Sequence, residues 1–188
     1  MRLSNLFVLL FFATPLFAET IKFSAANGKT EFTAVGRPAM IKIDGHSEGP
    51  EGSLKYDKAL VNGTLVVDLG KMTTDIELRD EHMKNKYLEV QKYPKAELTF
   101  KDFKMPENLE AMNGKEVEVP FTAELNLKDK KQTVTGTARL KKSNANINGE
   151  ANFSFKIMNH LDSLPSYAGI KVAEDVKVKI TLNGQITK

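Results

Sequence analysis

The chain has 188 residues, a formal charge of +3 and no cysteine. Disulfides and thiol catalysis are therefore excluded, and the charge gives no electrostatic case for nucleic acid. Hydrophobic residues make up 41% and charged residues 27%, which suits a single globular domain with a real core.

Residues 1–18 read as a cleaved secretory signal, with Arg2 at its start, an apolar run from Leu6 to Phe12, and Ala18 as the last residue before the cut. The apolar run is shorter than the roughly 20 residues that a membrane-spanning helix needs. The expected mature domain is 19–188, an exported protein. From there the dominant period is two. Short strands are expected at Ile21–Phe23, Glu31–Val35, Met40–Asp44, Ser53–Tyr56 and Thr64–Leu69. Clearer alternation follows. Ala96, Leu98 and Phe100 share a face, as do Phe121, Ala123, Leu125 and Leu127. Val134, Gly136, Ala138 and Leu140 form the next row, then Ile147 through Phe153, Phe155 and Ile157, and last Val176, Val178, Ile180 and Leu182. One apolar face per strand is the mark of an antiparallel sheet with one wet side. Asn27-Gly28, Asn62-Gly63, Asp129-Lys130 and Asn146 read as turns. About ten such strands must curl or split to cover their apolar face, giving a barrel or a sandwich.

One helix is expected, from Arg79 to about Tyr87 with an extension toward Val90. Asp80 and Glu81 sit near its start and Lys84 and Lys86 later, in the sense that the helix dipole favours. Pro94 blocks continuation and pushes Tyr93 into an extended conformation.

Little in this pattern carries chemistry. His46, His82 and His160 are far apart and none has metal-ligand spacing. No nucleophile elbow, phosphate loop or dinucleotide glycine motif occurs. No cofactor is implied. Arg79, Asp80, Glu81 and His82 read first as ties between helix and strand ends, and only distantly as the Asp-His pair of a hydrolase. The seven phenylalanines after residue 18 all lie on or beside strands. They alternate with Gly136, Gly149, Ala123, Ala138 and Ala151, so the interior is either a lined cavity or a packed core in which the rings fill the glycine gaps.

The order of several segments carries a resemblance. Arg79-Asp80-Glu81-His82-Met83, Tyr87 to Pro94, and a strand ending at Phe100 are similar to the R-D-x-H-L … F-D-x-x-K-Y-P … F signature of the YceI-like lipid/polyisoprenoid-binding proteins. Gly52 to Asp57 resembles that family's G-T-I-x-F-D strand, and Leu65 to Asp75 its next strand, with Thr74 before the Arg-Asp pair. Ala123 to Val134 resembles its G-x-L-T-I-R-G hairpin. Asn159, Asp162, Gly169 and Ile170 correspond to its N-R-x-D-F-G-I segment, and Val172 to Val178 to its last strand. The sequence departs at Asp129, where the hairpin glycine is usual, at Lys71, where a serine is usual, and in a longer segment from Leu161 to Tyr167.

The resemblance implies an all-β, antiparallel, lipocalin-like β-barrel with one short helix near the barrel mouth. It implies a periplasmic protein that sequesters or carries a long-chain amphiphile, such as a polyisoprenoid, and is not an enzyme. Leu98, Phe100, Phe121, Leu125, Phe153, Phe155, Val178 and Ile180 are the expected lining, with Arg79, Asp80 and His82 holding the helix over the mouth. Transient membrane contact and a homodimer are compatible with this reading. A ligand-free structural or partner-binding barrel and an auxiliary to a membrane quinone or redox system are the alternatives.

Overall fold

A computed structural model describes residues 18–38, 41–105, 108–167 and 169–187. Apart from Ala18, the expected export signal lies outside these residues, as does Met40.

The described chain forms strands β1 (Glu19–Phe23), β2 (Lys29–Arg37), β3 (Ile41–Glu48), β4 (Glu51–Asp57) and β5 (Leu60–Asp68). Helix α1 (Glu77–Glu81) follows and continues as a π-helical segment, His82–Tyr87. Then come β6 (Lys95–Lys104), β7 (Glu116–Leu127), β8 (Lys130–Ser143), β9 (Asn146–Lys156), β10 (Ser166–Tyr167), β11 (Ile170–Val172) and β12 (Asp175–Thr187).

All pairings between these strands are antiparallel. They make a closed barrel of eight staves, because β1 and β2 lie end to end along β12, and β4 and β3 lie end to end beside them. The first stave pairs Phe23 with Gly184 and, after a short 3-10 turn at Ala25–Asn27, Thr30 with Ile180. The remaining staves run β5, β6, β7, β8, β9 and back to β12. The twelve strands are thus more than the sequence suggests, but two staves are each broken in two. Closure pairs most of the strand edges, but β3 has a ladder with β2 alone.

The turn chemistry is partly as expected. Lys128 and Asp129 have φ of 55° and 56°, the left-handed pair of a two-residue hairpin, one residue earlier than expected. The expected turn at Asn62-Gly63 is not a turn. Both residues lie inside β5, and the chain reverses at Lys58 and Ala59 instead. Gly63 sits at a register irregularity against β6 with φ of 148°, and a Cβ there would run into the Ser53 carbonyl. The extra residue of this bulge is on β6, where Lys101 and Asp102 stand against Asn62 alone, and Gly63 is required by the close approach of β4. The Asn62 amide closes that bulge by bonding Asp102 through both its backbone N–H (2.8 Å) and its carboxylate (3.1 Å).

At one end β3 splays from β5. Residues 72–74 enter the gap, where Thr73 and His46 exchange backbone hydrogen bonds of 2.8 Å in each direction. The 77–87 helix crosses over this end, and β10 and β11 extend β2 beside it through Lys171–Arg37 and Val172–Gly36.

Candidate ligand-binding site

The interior is divided along its axis. Below, Ile21, Leu54, Val61, Val119, Ile147 and Leu182 close around a residual void of about 70 Å³. Above, under the helix, lies an apolar cavity of about 480 Å³, within the usual range of about 300–1,000 Å³ for small-molecule pockets. β2 and β3 supply Phe32, Ala34, Ile41 and Ile43 to its wall. The facing wall comes from β5, β6 and β7, and the helix roofs it with Leu78, Met83 and Tyr87.

Six of the eight expected lining residues face this cavity: Leu98, Leu125, Phe153, Phe155, Val178 and Ile180. Phe100 and Phe121 do not. They face the small void below, and here the expectation is corrected. The reason is stagger: staves tilt against one another in a barrel, so inward residues at similar positions in their strands come to lie at different heights. Phe121 meets Phe153 edge-on with ring centroids 6.2 Å apart, and Phe100 packs on Phe121 at 5.8 Å. Gly136 makes room for this layer, since a Cβ there would lie 2.7 Å from the Phe121 ring and 2.8 Å from Phe153 Cβ. These rings are the floor of the cavity.

The expectation also missed the walls from β2 and β3. Their alternation is present in Thr30, Phe32 and Ala34, and in Ile41 and Ile43, but the strands are short and the polar Thr30 interrupts the apolar row. Thr30 is only 5% exposed, lines the cavity near its floor, and its hydroxyl has no hydrogen-bond partner among the described residues. Buried hydroxyls normally find a partner, so this group is available to ligand or water.

The roof is tied down at both ends. At the N-terminal end the Asp80 carboxylate accepts from the hydroxyls of Thr73 and Thr74 and from the Thr74 backbone N–H at 2.7 Å. Burial pushes the Asp80 carboxyl up, but the three hydrogen bonds outweigh it and hold the group below the ordinary 3.8, with help from Lys84. Arg79 Nη2 donates to the Thr74 carbonyl at 2.8 Å, while its buried Nε has no partner among the described residues. Arg79 and His82 line the cavity, but Asp80 points away into the 73–74 loop. At the other end the Tyr87 hydroxyl accepts from Ser166 N–H (3.0 Å) and donates to the Ser166 carbonyl (3.1 Å). Buried Lys128 donates to the Tyr87 carbonyl at 3.0 Å and to Glu89 at 2.8 Å. Between these ties the backbone is π-helical, with Leu88 N–H donating to Met83 O, a geometry frequent at functional sites.

His160, which sequence gave no role, is fully buried beside the cavity wall. Its ring meets Phe155 edge-on at 5.5 Å, and Nδ1 lies 3.1 Å from the Leu127 carbonyl. Burial holds its pKa below 6.5. Among the described residues no three His, Asp or Glu side chains gather as a metal site. No helix among them is long and apolar enough to cross a membrane.

A closed antiparallel barrel of eight staves with an apolar cavity under a short helix is a lipocalin-like fold. Within it, the sequence matches the YceI-like domain over residues 21–184, and the chain belongs to that family. Solved structures agree on the fold. A polyisoprenoid-binding domain from Saccharophagus degradans superposes with a TM-score of 0.67 at 16% identity, covering 89% of this chain and 98% of that one. BcnA from Burkholderia cenocepacia gives 0.68 at 16% identity, covering 88% and 99%. The YceI protein of Campylobacter jejuni gives 0.61 at 14% identity, covering 78% and 86%. No curated protein matches the sequence.

Proposed function

We propose that this protein binds a long-chain amphiphile of the polyisoprenoid type, tail in the barrel and head at the mouth, and sequesters or carries it without chemical change. One observation carries this reading: a 480 Å³ apolar cavity, floored by aromatic rings and roofed by a tethered helix. The naming of the Saccharophagus relative as a polyisoprenoid-binding domain supports the ligand class. Energetics favour the tail as the main source of affinity. Each buried methylene contributes about 0.8 kcal/mol, whereas an exposed ion pair contributes about 0–1 kcal/mol. Arg79 and His82 stand at the mouth, where the Arg79 Nε can donate to a polar head. Thr30 offers a second polar contact deeper in.

The work is set in the cell envelope, where an exported carrier meets lipid, in keeping with the signal-like residues 1–18. Exchange with the bilayer is by transient contact. Mass spectrometry of an organic extract from protein purified in its native host tests the reading. A stoichiometric isoprenoid lipid is expected. An empty barrel that also fails to take up prenyl lipids from vesicles overturns it. Fractionation tests the location: envelope protein should begin at or near Glu19.

A further inference from the structure

The two compartments are separated by a single aromatic layer. Phe153 faces the large cavity and Phe121 the small void, and the two rings meet edge-on at 6.2 Å. Leu65 borders both spaces, so no further layer of residues lies between them there. Phe121 is only 5% exposed and is held from the far side by Phe100. It lies across Gly136, the position at which any larger residue would push both rings out of place. The missing Cβ thus lets the rings interlock from neighbouring staves.

We propose that the Phe121–Phe153 pair is a stop that sets the longest apolar chain the barrel accepts. The proposal rests on the binding reading above and adds to it a specificity determinant. A chain entering under the helix gains burial with every carbon until its end meets these rings. Carbons beyond that point must stay at the mouth in water, so affinity stops rising with length. Below the stop lie 70 Å³ of empty space, and truncating the Phe121 ring joins that space to the cavity above. The 70 Å³ that is joined adds room for about two more chain carbons, taking a water's share of liquid volume, about 30 Å³, as the yardstick. Phe103 provides the contrast. It borders the small void, packs on Phe100 at 6.1 Å, and touches neither the large cavity nor the Phe121–Phe153 contact.

The test offers the folded protein an equimolar mixture of all-trans prenyl alcohols from C15 to C45 in mild detergent and weighs the bound set. Wild type should show enrichment that rises with length and then stops at one length. Phe121→Ala should let retention rise past that cut-off, by about tenfold for the next longer alcohol, the factor expected from one to two extra buried methylenes. Phe121→Leu, which keeps a core-sized side chain should the alanine variant not fold, should move retention in the same direction by less. Phe103→Leu should leave the cut-off where it is. The stop is overturned if wild type shows no cut-off, if both Phe121 variants keep the wild-type cut-off, or if Phe103→Leu shifts it equally. Wild type that binds none of the alcohols fails the binding reading itself and the stop with it.

Discussion

Along β9, Ile147, Gly149 and Ala151 meet a filled interior, while Phe153 and Phe155, further along the same face, look into open space. The two halves of the barrel share most of their staves and nearly the same residue types. They differ in what closes them. In the lower half β6 and β7 also part, pairing only from Ala96 to Thr99, but inserted chain packs that gap, with Leu109 1% exposed and Met112 fully buried. The upper half is held open because β3 leaves β5, and a helix rather than side chains covers the gap. Hydrophobic residues thus serve two ends here: contacts with one another below, and an unfilled wall above. The wall lacks dispersion partners until something apolar enters.

Equal truncations in each half should have unequal costs. Leu109→Ala should cost about 2–5 kcal/mol, as for a packed site, while Leu125→Ala beside the existing cavity should fall at the low end of that range or below it. Denaturant melts of both variants decide it, and equal losses would mean that the upper half is effectively packed. Adding a bound prenyl lipid should widen the cost of Leu125→Ala and leave that of Leu109→Ala unchanged.

The roof is the next lever. Asp80→Asn removes a charged acceptor of three hydrogen bonds and should cost roughly 1–3 kcal/mol. Ligand exchange should speed up, while the preferred lipid stays the same because Asp80 does not line the cavity. Loss of a hydrolytic activity with unchanged stability would instead place Asp80 in an active site.

Acid should act on the same upper half in two windows. Both the Asp80 carboxyl and the His160 imidazole are held below their ordinary values, 3.8 and 6.5. Each therefore stabilises the fold above that value, and the contribution is lost as pH falls through the lower, folded-state value. Stability should begin to fall below about pH 6.5 as His160 is forced to protonate, and again below about pH 3.8 through Asp80. Melting curves across pH read both, and the second step should shrink in Asp80→Asn, the remainder coming from Asp44, Glu124, Glu150 and Asp162, whose carboxyls are also held low.

The smallest effect is expected at the other tether. Tyr87→Phe deletes the two hydrogen bonds to Ser166 at a solvent-exposed site and should cost about 0.5–1.5 kcal/mol. Its signature is a faster ligand off-rate with little change in melting temperature.

Sequence alone determined a good deal here. Alternation in β7, β8, β9 and β12 fixed antiparallel strands with one wet face, because side chains alternate every residue whatever lies around them. The charged turn and Tyr-Pro stop placed the helix to within two residues, and the ordered motif words pointed to the family. The sequence did not show that its last turns would be π-helical, nor that Asn62-Gly63 would lie inside a strand opposite a bulge in β6, since glycine suits both a turn and a close approach of strands. Least legible was the interior. Cavity and packed core were even readings of the same Phe and Gly rows, and each proves correct in one half. Phe100 and Phe121 share their inward phase with Leu98 and Leu125, yet face the other compartment. Period two says which face is inward but carries nothing about height along the barrel axis. Height comes from strand tilt and stagger, which depend on all the staves closing together.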